Sequence, residues 1–306
     1  MDTRFTGVIP PVVTPFTVQG EIDLESLDRL IDVLIEGGVT GLFSMGSTSE
    51  VAYLTDAQRD VVVGRTVERV AGRVPVLVGA IDTTAGRVVE QARRAAALGA
   101  DAIVSTCPFY ALNSEAEYAA HFRAVAASVD LPLFAYDVPV RLGGKKLSRD
   151  LLVGLGSEGV LAGVKDSSAD DVAFRRLVMA NEDAGHPLAL LTGHELVVDG
   201  MLLLGADGVV PGYGNVEPRA YRDLWDAAVA GDWARARRIQ DEIARNFECV
   251  FAVTGRSGDA TGVGAFKTAM AALGTIATAT MAFPVEPLEP ANAQAVLAVL
   301  RKNGLL

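Results

Sequence analysis

Eight short apolar runs alternate with stretches of helical spacing between Gly7 and Val210, and few architectures accept that pattern. The runs fall at 7–13, 40–45, 75–78, 102–105, 131–136, 161–165, 188–191 and 207–210. The first is weakened as a strand by Pro10 and Pro11, which lack an N–H to donate. Helix signals stand between the runs. Asp23 precedes Leu24, Leu27, Leu30, Ile31 and Leu34 at helical spacing, and Gly37-Gly38 closes that segment. Thr55 with Gln58, and Ser114 with Glu117, are capping boxes, in which each side chain satisfies the other residue's backbone N–H. Further helices are expected at 84–98, 148–156, 170–181 and up to Leu204. Eight strands and helices in regular alternation predict a parallel (β/α)8 TIM barrel. A doubly wound open sheet is the competitor, but no Gly-x-Gly-x-x-Gly loop follows the first strand.

Beyond Pro218 the pattern turns purely helical, with helices expected at 221–230, 233–251, 264–273 and 290–302. No linker precedes them. Residues 1–216 therefore read as the barrel and 217–306 as a C-terminal helical extension packed on it, forming one structural unit. Glycines and polar residues make 255–264 read as a loop, with little to favour a phosphate cradle there. Half of the 306 residues are hydrophobic, enough for a large core. The net charge of −11, with no basic patch, argues against nucleic acid as a partner. Cys107 and Cys249 have no metal-ligand spacing, so neither a structural metal nor a disulfide framework is expected. No apolar stretch has the form of a signal peptide or a membrane span, so a soluble cytoplasmic protein is expected, with no membrane partner.

Active sites of such barrels gather at the C-terminal ends of the strands. Ser47 and Thr48 follow the second strand, Tyr110 the fourth, and Tyr136 and Lys165 end the fifth and sixth. An ammonium at the end of a buried strand is costly. Lys165 could snorkel to the surface, pair with a carboxylate such as Asp166, or be a partly desolvated amine of lowered pKa that attacks a ketone. Alternation along the strand puts Gly163 on the lysine's face, where a small residue would leave room beneath it.

Gly46-Ser-Thr-Ser-Glu50, Tyr136-Asp-Val-Pro139 and Gly163-Val-Lys-Asp166, taken together and in this order, resemble the dihydrodipicolinate synthase / N-acetylneuraminate lyase family. The resemblance spans the whole chain and implies a pyruvate-dependent class I aldolase. Lys165 would form a covalent Schiff base with pyruvate, with no added cofactor and no metal. Tyr136 would move the proton at the reacting oxygen. Ser47 and Tyr110 would assist its phenol, the tyrosine matching Tyr110 often coming from an adjacent subunit of the family's homotetramer. Ser47 and Thr48 would hold the pyruvate carboxylate through N–H groups and hydroxyls. Ser49 departs from the family's usual glycine, and Glu50 reads as fixing the loop rather than doing chemistry.

The second substrate divides the family. Arg141 falls where the synthases carry an arginine for the carboxylate of aspartate semialdehyde. Against that reading, Ser47 stands where synthases usually have threonine, and Thr192-Gly-His-Glu195 lacks their Gly-Asp-Asp pattern. Gly193 and Glu195 match places that bind substrate hydroxyls in the sugar-acid aldolases. His194 has no second histidine with which to hold a metal. The first expectation is cleavage of a 2-keto-3-deoxy sugar acid, or a related 4-hydroxy-2-oxo acid, to pyruvate and an aldehyde. Alternatives are 4-hydroxy-tetrahydrodipicolinate synthase, a keto-deoxy acid dehydratase, and a non-catalytic keto-acid-binding barrel.

Overall fold

The computed structural model describes residues 3–306. Its strands are buried from end to end rather than on alternate residues, the mark of a parallel sheet covered on both faces. They are β1 Gly7–Val8, β2 Leu42–Ser44, β3 Val76–Gly79, β4 Ala102–Ser105, β5 Leu133–Asp137, β6 Gly163–Asp166, β7 Ala189–Thr192 and β8 Gly208–Val209. All pair in parallel, in the order β1-β8-β7-β6-β5-β4-β3-β2. The seam between β1 and β2 is closed by chain beyond the regular strand. Phe43 N–H donates to Pro10 O at 3.0 Å and Val12 N–H to Phe43 O at 2.9 Å. The expected run at 7–13 thus completes the barrel mostly as irregular extended chain, because Pro10 and Pro11 supply carbonyls but no N–H.

The outer helices are α1 Leu24–Glu36, α2 Asp56–Val70, α3 Ala85–Ala97, α4 Glu115–Ala126, α5 Arg149–Ser157, α6 Asp171–Asp183, α7 Val198–Leu204 and α8 Pro218–Val229. Asp23 caps α1, and both capping boxes form. α8 packs against β1 and α1, which makes it the eighth helix of the barrel's outer ring. The division expected at residue 217 therefore falls before a barrel helix, and the added helices are α9 Trp233–Phe251, α10 Gly258–Ala272 and α11 Pro290–Lys302. The fold is the expected TIM barrel with a C-terminal helical extension. Among the described residues, no helix is long and apolar enough to cross a membrane.

β5 and β6 set the register that matters most: Phe134 pairs with Gly163, Tyr136 with Lys165, and Asp137 with Asp166. Gly163 does not leave a space beneath the lysine as expected. Phe134's ring already fills it, and a Cβ at 163 would overlap that ring and come within 2.6 Å of Ala189 O.

α10 begins six residues before the expected 264, inside the segment read as a loop, with Ser257 capping it by accepting from Ala260 N–H. Glycines and threonine lower its intrinsic propensity, but tertiary burial of Ala260, Val263 and Phe266 overrides that weak preference. From this helix Lys267, fully buried, forms an ion pair with Glu50, which is 2% exposed. Glu50 also accepts from Ala282 N–H at 2.8 Å, and Lys267 donates to Thr280 O at 2.9 Å. Glu50 sits at φ 58°, a left-handed conformation uncommon for a side-chain-bearing residue, so its loop is held from outside. Lys267→Met should leave a buried carboxylate unpaired and cost about 3–5 kcal/mol in urea unfolding, with most of the loss recovered in Glu50→Gln/Lys267→Met. A single variant as stable as wild type would show that the pair does not hold the loop.

Candidate active site

Lys165 is 5% exposed, so it does not snorkel. Its Nζ lies over two aromatic faces, 4.0 Å from the ring centre of Tyr136 and 4.8 Å from that of Phe43. The negative faces of the two rings attract the ammonium without neutralising it. Nor does Asp166 pair with it. Adjacent residues of a strand point to opposite faces, and Asp166 turns outward to Lys146.

Lys146 donates to Asp137 Oδ2 at 2.6 Å and to Asp166 Oδ2 at 3.0 Å. Leu147 N–H donates to Asp137 Oδ1, and Ser168 N–H and Oγ–H to Asp166 Oδ1. Each carboxylate follows one of the two inward-facing residues, Tyr136 and Lys165. One ammonium thereby ties together the strand ends that carry the phenol and the amine. Burial raises Asp137's carboxyl above the usual range despite the pull of Lys146.

The phenol of Tyr136 is 3.4 Å from Ser47 Oγ. Burial pushes its pKa up, but the Lys165 charge and contacts with Ser47, Lys165 and Ser167 outweigh this and bring it below the ordinary phenol value. Ser47 opens the short turn Ser47–Ser49, and part-exposed Thr48 lies at its centre. Tyr110 is 97% exposed at φ 71°, and this chain does not bring it to Tyr136.

Ser47 also lines a cavity of about 140 Å³ with Tyr53, Thr106, Arg141 and Asp259. Arg141 ends the turn Pro139–Arg141 and is ion-paired with Asp259 of α10. Gly193 and Glu195 lie on the other side of the lysine, after β7. The Gly193 N–H is already given to Asp166 O at 2.6 Å, and a Cβ there would overlap Ser167 Oγ. Glu195 is partly exposed as a residue, but its carboxylate turns inward and accepts from Tyr213 N–H at 2.7 Å. Burial raises this carboxyl to about 7, against the opposing pull of the Tyr213 N–H, the Lys165 charge and the Gly212 N–H. His194 contacts Asp171 at 3.1 Å, away from the lysine.

The sequence model of the dihydrodipicolinate synthetase family matches residues 4–303. The chain belongs to that family. A 4-hydroxy-tetrahydrodipicolinate synthase of Phenylobacterium zucineum (strain HLK1) is 34% identical over the full length of both chains. The Escherichia coli (strain K12) protein YagE, proposed to be a 2-dehydro-3-deoxy-D-gluconate aldolase, is 38% identical over 76% of this chain and 77% of its own. A crystal structure of YagE in complex with pyruvate superposes with a TM-score of 0.92 at 31% identity, covering 99% of each chain. Membership places this protein among the lyases and synthases of the dihydrodipicolinate synthetase family, within the class I aldolase superfamily.

Within that family frame, sequence reasoning overlooked several groups that the fold brings to the site. Phe43 supplies the second ring over the amine, and Ser167 a contact to the phenol. Lys146 clamps the strand ends, while Asp259 and Tyr53 reach Arg141's wall of the cavity. Ser167 stands only two residues after Lys165, and its position was the one available signal.

Because Glu195 is neutral below about 7 and anionic above it, its carboxyl stretch in the infrared should bleach as pH rises through neutrality. Glu195→Gln should remove that change, and a band that persists in the variant would assign the titration elsewhere.

Proposed function

We propose that this protein is a pyruvate-dependent lyase that works through an imine on Lys165. The observation that carries the reading is the buried amine held 4.0 Å from the centre of the Tyr136 ring, on paired strands, with Ser47 bonded to the phenol. In the cleavage direction the neutral amine adds to the C2 ketone of a 4-hydroxy-2-oxo acid, and the carbinolamine hydroxyl leaves as water with the proton of the Tyr136 phenol, giving an iminium and a phenolate. The C3–C4 bond then breaks, its electron pair flowing into the iminium to give an enamine. Tyr136 takes the proton of the C4 hydroxyl, so that the fragment leaves as an aldehyde. Protonation at C3 and hydrolysis release pyruvate and restore Lys165. Ser47 and Thr48 would hold the carboxylate beside the iminium, and Glu195 and Gly193 would border the other side.

The preferred substrate is a 2-keto-3-deoxy sugar acid, a reading supported by the likeness to YagE and by Glu195 in place of the Gly-Asp-Asp pattern. One observation favours a second reading, 4-hydroxy-tetrahydrodipicolinate synthase. Arg141 lines the cavity next to Ser47, where an aldehyde carboxylate could approach it. We further propose a cytoplasmic homotetramer in which Tyr110 serves a neighbouring subunit, a role that fits its exposure.

Borohydride reduction with pyruvate should add one pyruvate-derived mass to Lys165, read by peptide mass spectrometry. Folded protein that stays unmodified in millimolar pyruvate would favour a keto-acid-binding barrel without catalysis. Lys165→Ala should abolish both the adduct and turnover. Tyr136→Phe should still trap pyruvate but lower kcat by about 10²–10⁴-fold, the usual contribution of a positioned proton donor. Normal turnover by Tyr136→Phe would remove its proton role.

A further inference from the structure

The cavity beside Ser47 is bounded by α10, an element outside the barrel. Asp259, the second residue of that helix, forms the ion pair with Arg141, and its side chain is only 15% exposed. Its other oxygen accepts from Tyr53 Oη at 2.7 Å. The guanidinium charge is therefore already matched, and the phenol, raised to about 12 chiefly by its bond to Asp259, stays a donor. Thr106 lines the same cavity with its hydroxyl buried and without a partner among the described residues. Ile81, Phe109 and Val138 make up apolar parts of the wall.

We propose that Tyr53, Asp259 and Arg141 form a subsite for the hydroxyl groups of an uncharged aldehyde, and that Asp259 excludes an aldehyde carrying a carboxylate. A hydroxyl both donates and accepts, so it can bond to Asp259 and to Arg141 or Thr106 at once. A carboxylate only accepts. To reach Arg141 it must approach Asp259 or displace it, which would leave the aspartate without its cation. Discrimination built by placing a like charge against the unwanted ligand is a general route to specificity. Tyr53, Asp259 and Thr106 are thereby specificity-determining residues, and a helix beyond the barrel chooses the substrate. The inference rests on the lyase reading above, whose own test is trapping of pyruvate on wild-type Lys165.

The experiment compares kcat/KM for condensation of pyruvate with D-glyceraldehyde and with aspartate semialdehyde, using the full-length protein. Wild type should favour glyceraldehyde by about tenfold or more, and Asp259→Asn should move the ratio toward the semialdehyde by about tenfold or more, chiefly through KM. Tyr53→Phe should lower kcat/KM for glyceraldehyde several-fold relative to the semialdehyde, and it serves as the reading if Asp259→Asn does not fold. Pyruvate trapping on wild type with a ratio unmoved in the variants overturns the subsite alone. So does a wild type that prefers the semialdehyde or ignores glyceraldehyde. Failure of wild type to trap pyruvate overturns the lyase reading and the subsite with it.

Discussion

The pairing of β5 with β6 is the constraint on which the site depends. Parallel register sets Tyr136 opposite Lys165, and alternation along each strand sends both side chains inward. A slip of either strand by one residue would turn its own inward residue, the phenol or the amine, outward and bring Asp137 or Asp166 inside. Two features oppose that slip. Gly163 admits Phe134's ring in one alignment, and Lys146 binds the two aspartates on the outer face. Packing inside and charge outside thus specify the same register.

Charge burial follows a consistent logic. Glu50 is paired with Lys267, Asp137 and Asp166 share Lys146, and all three carboxylates also accept N–H groups. Such groups are tolerated because each has a partner. Lys165 departs from this pattern, buried against two aromatic faces and without a carboxylate partner among the described residues. An amine left without a counter-ion in a largely satisfied interior is the group the fold keeps available, and the imine proposal builds on that contrast. Glu195, raised to about 7, is near enough for the lysine's charge to act on it without forming an ion pair.

The C-terminal helices do more than cover the barrel. α10 supplies Lys267 beneath the Ser47–Ser49 turn and Asp259 across the cavity from it. One surface of one helix therefore supports both the turn and the cavity wall. The proposed division of labour leaves covalent chemistry to the barrel strands and choice of aldehyde to a helix added after them.

The alternation of apolar runs and capped helices made the barrel legible, because strand and helix periods and capping boxes are local properties of the chain. The three ordered motifs marked Ser47, Tyr136 and Lys165 as candidates, since each stands at or just after the end of a strand. Local pattern failed where distant segments meet. Residues 255–264 read as a loop because glycine-rich sequence has weak propensity, whereas burial against the body of the protein makes most of that segment helical. Gly163 suggested space, but the occupant, Phe134, comes from the neighbouring strand. Arg141 was visible as a cation near the site, while its partner Asp259 lies 118 residues away and carries no local sign of the contact. The order of residues by itself determined the strands, the caps and which side chains stand at strand ends. Only the tertiary structure decided which buried charges are matched and which amine is not, because pairing depends on distances that the folded barrel alone creates.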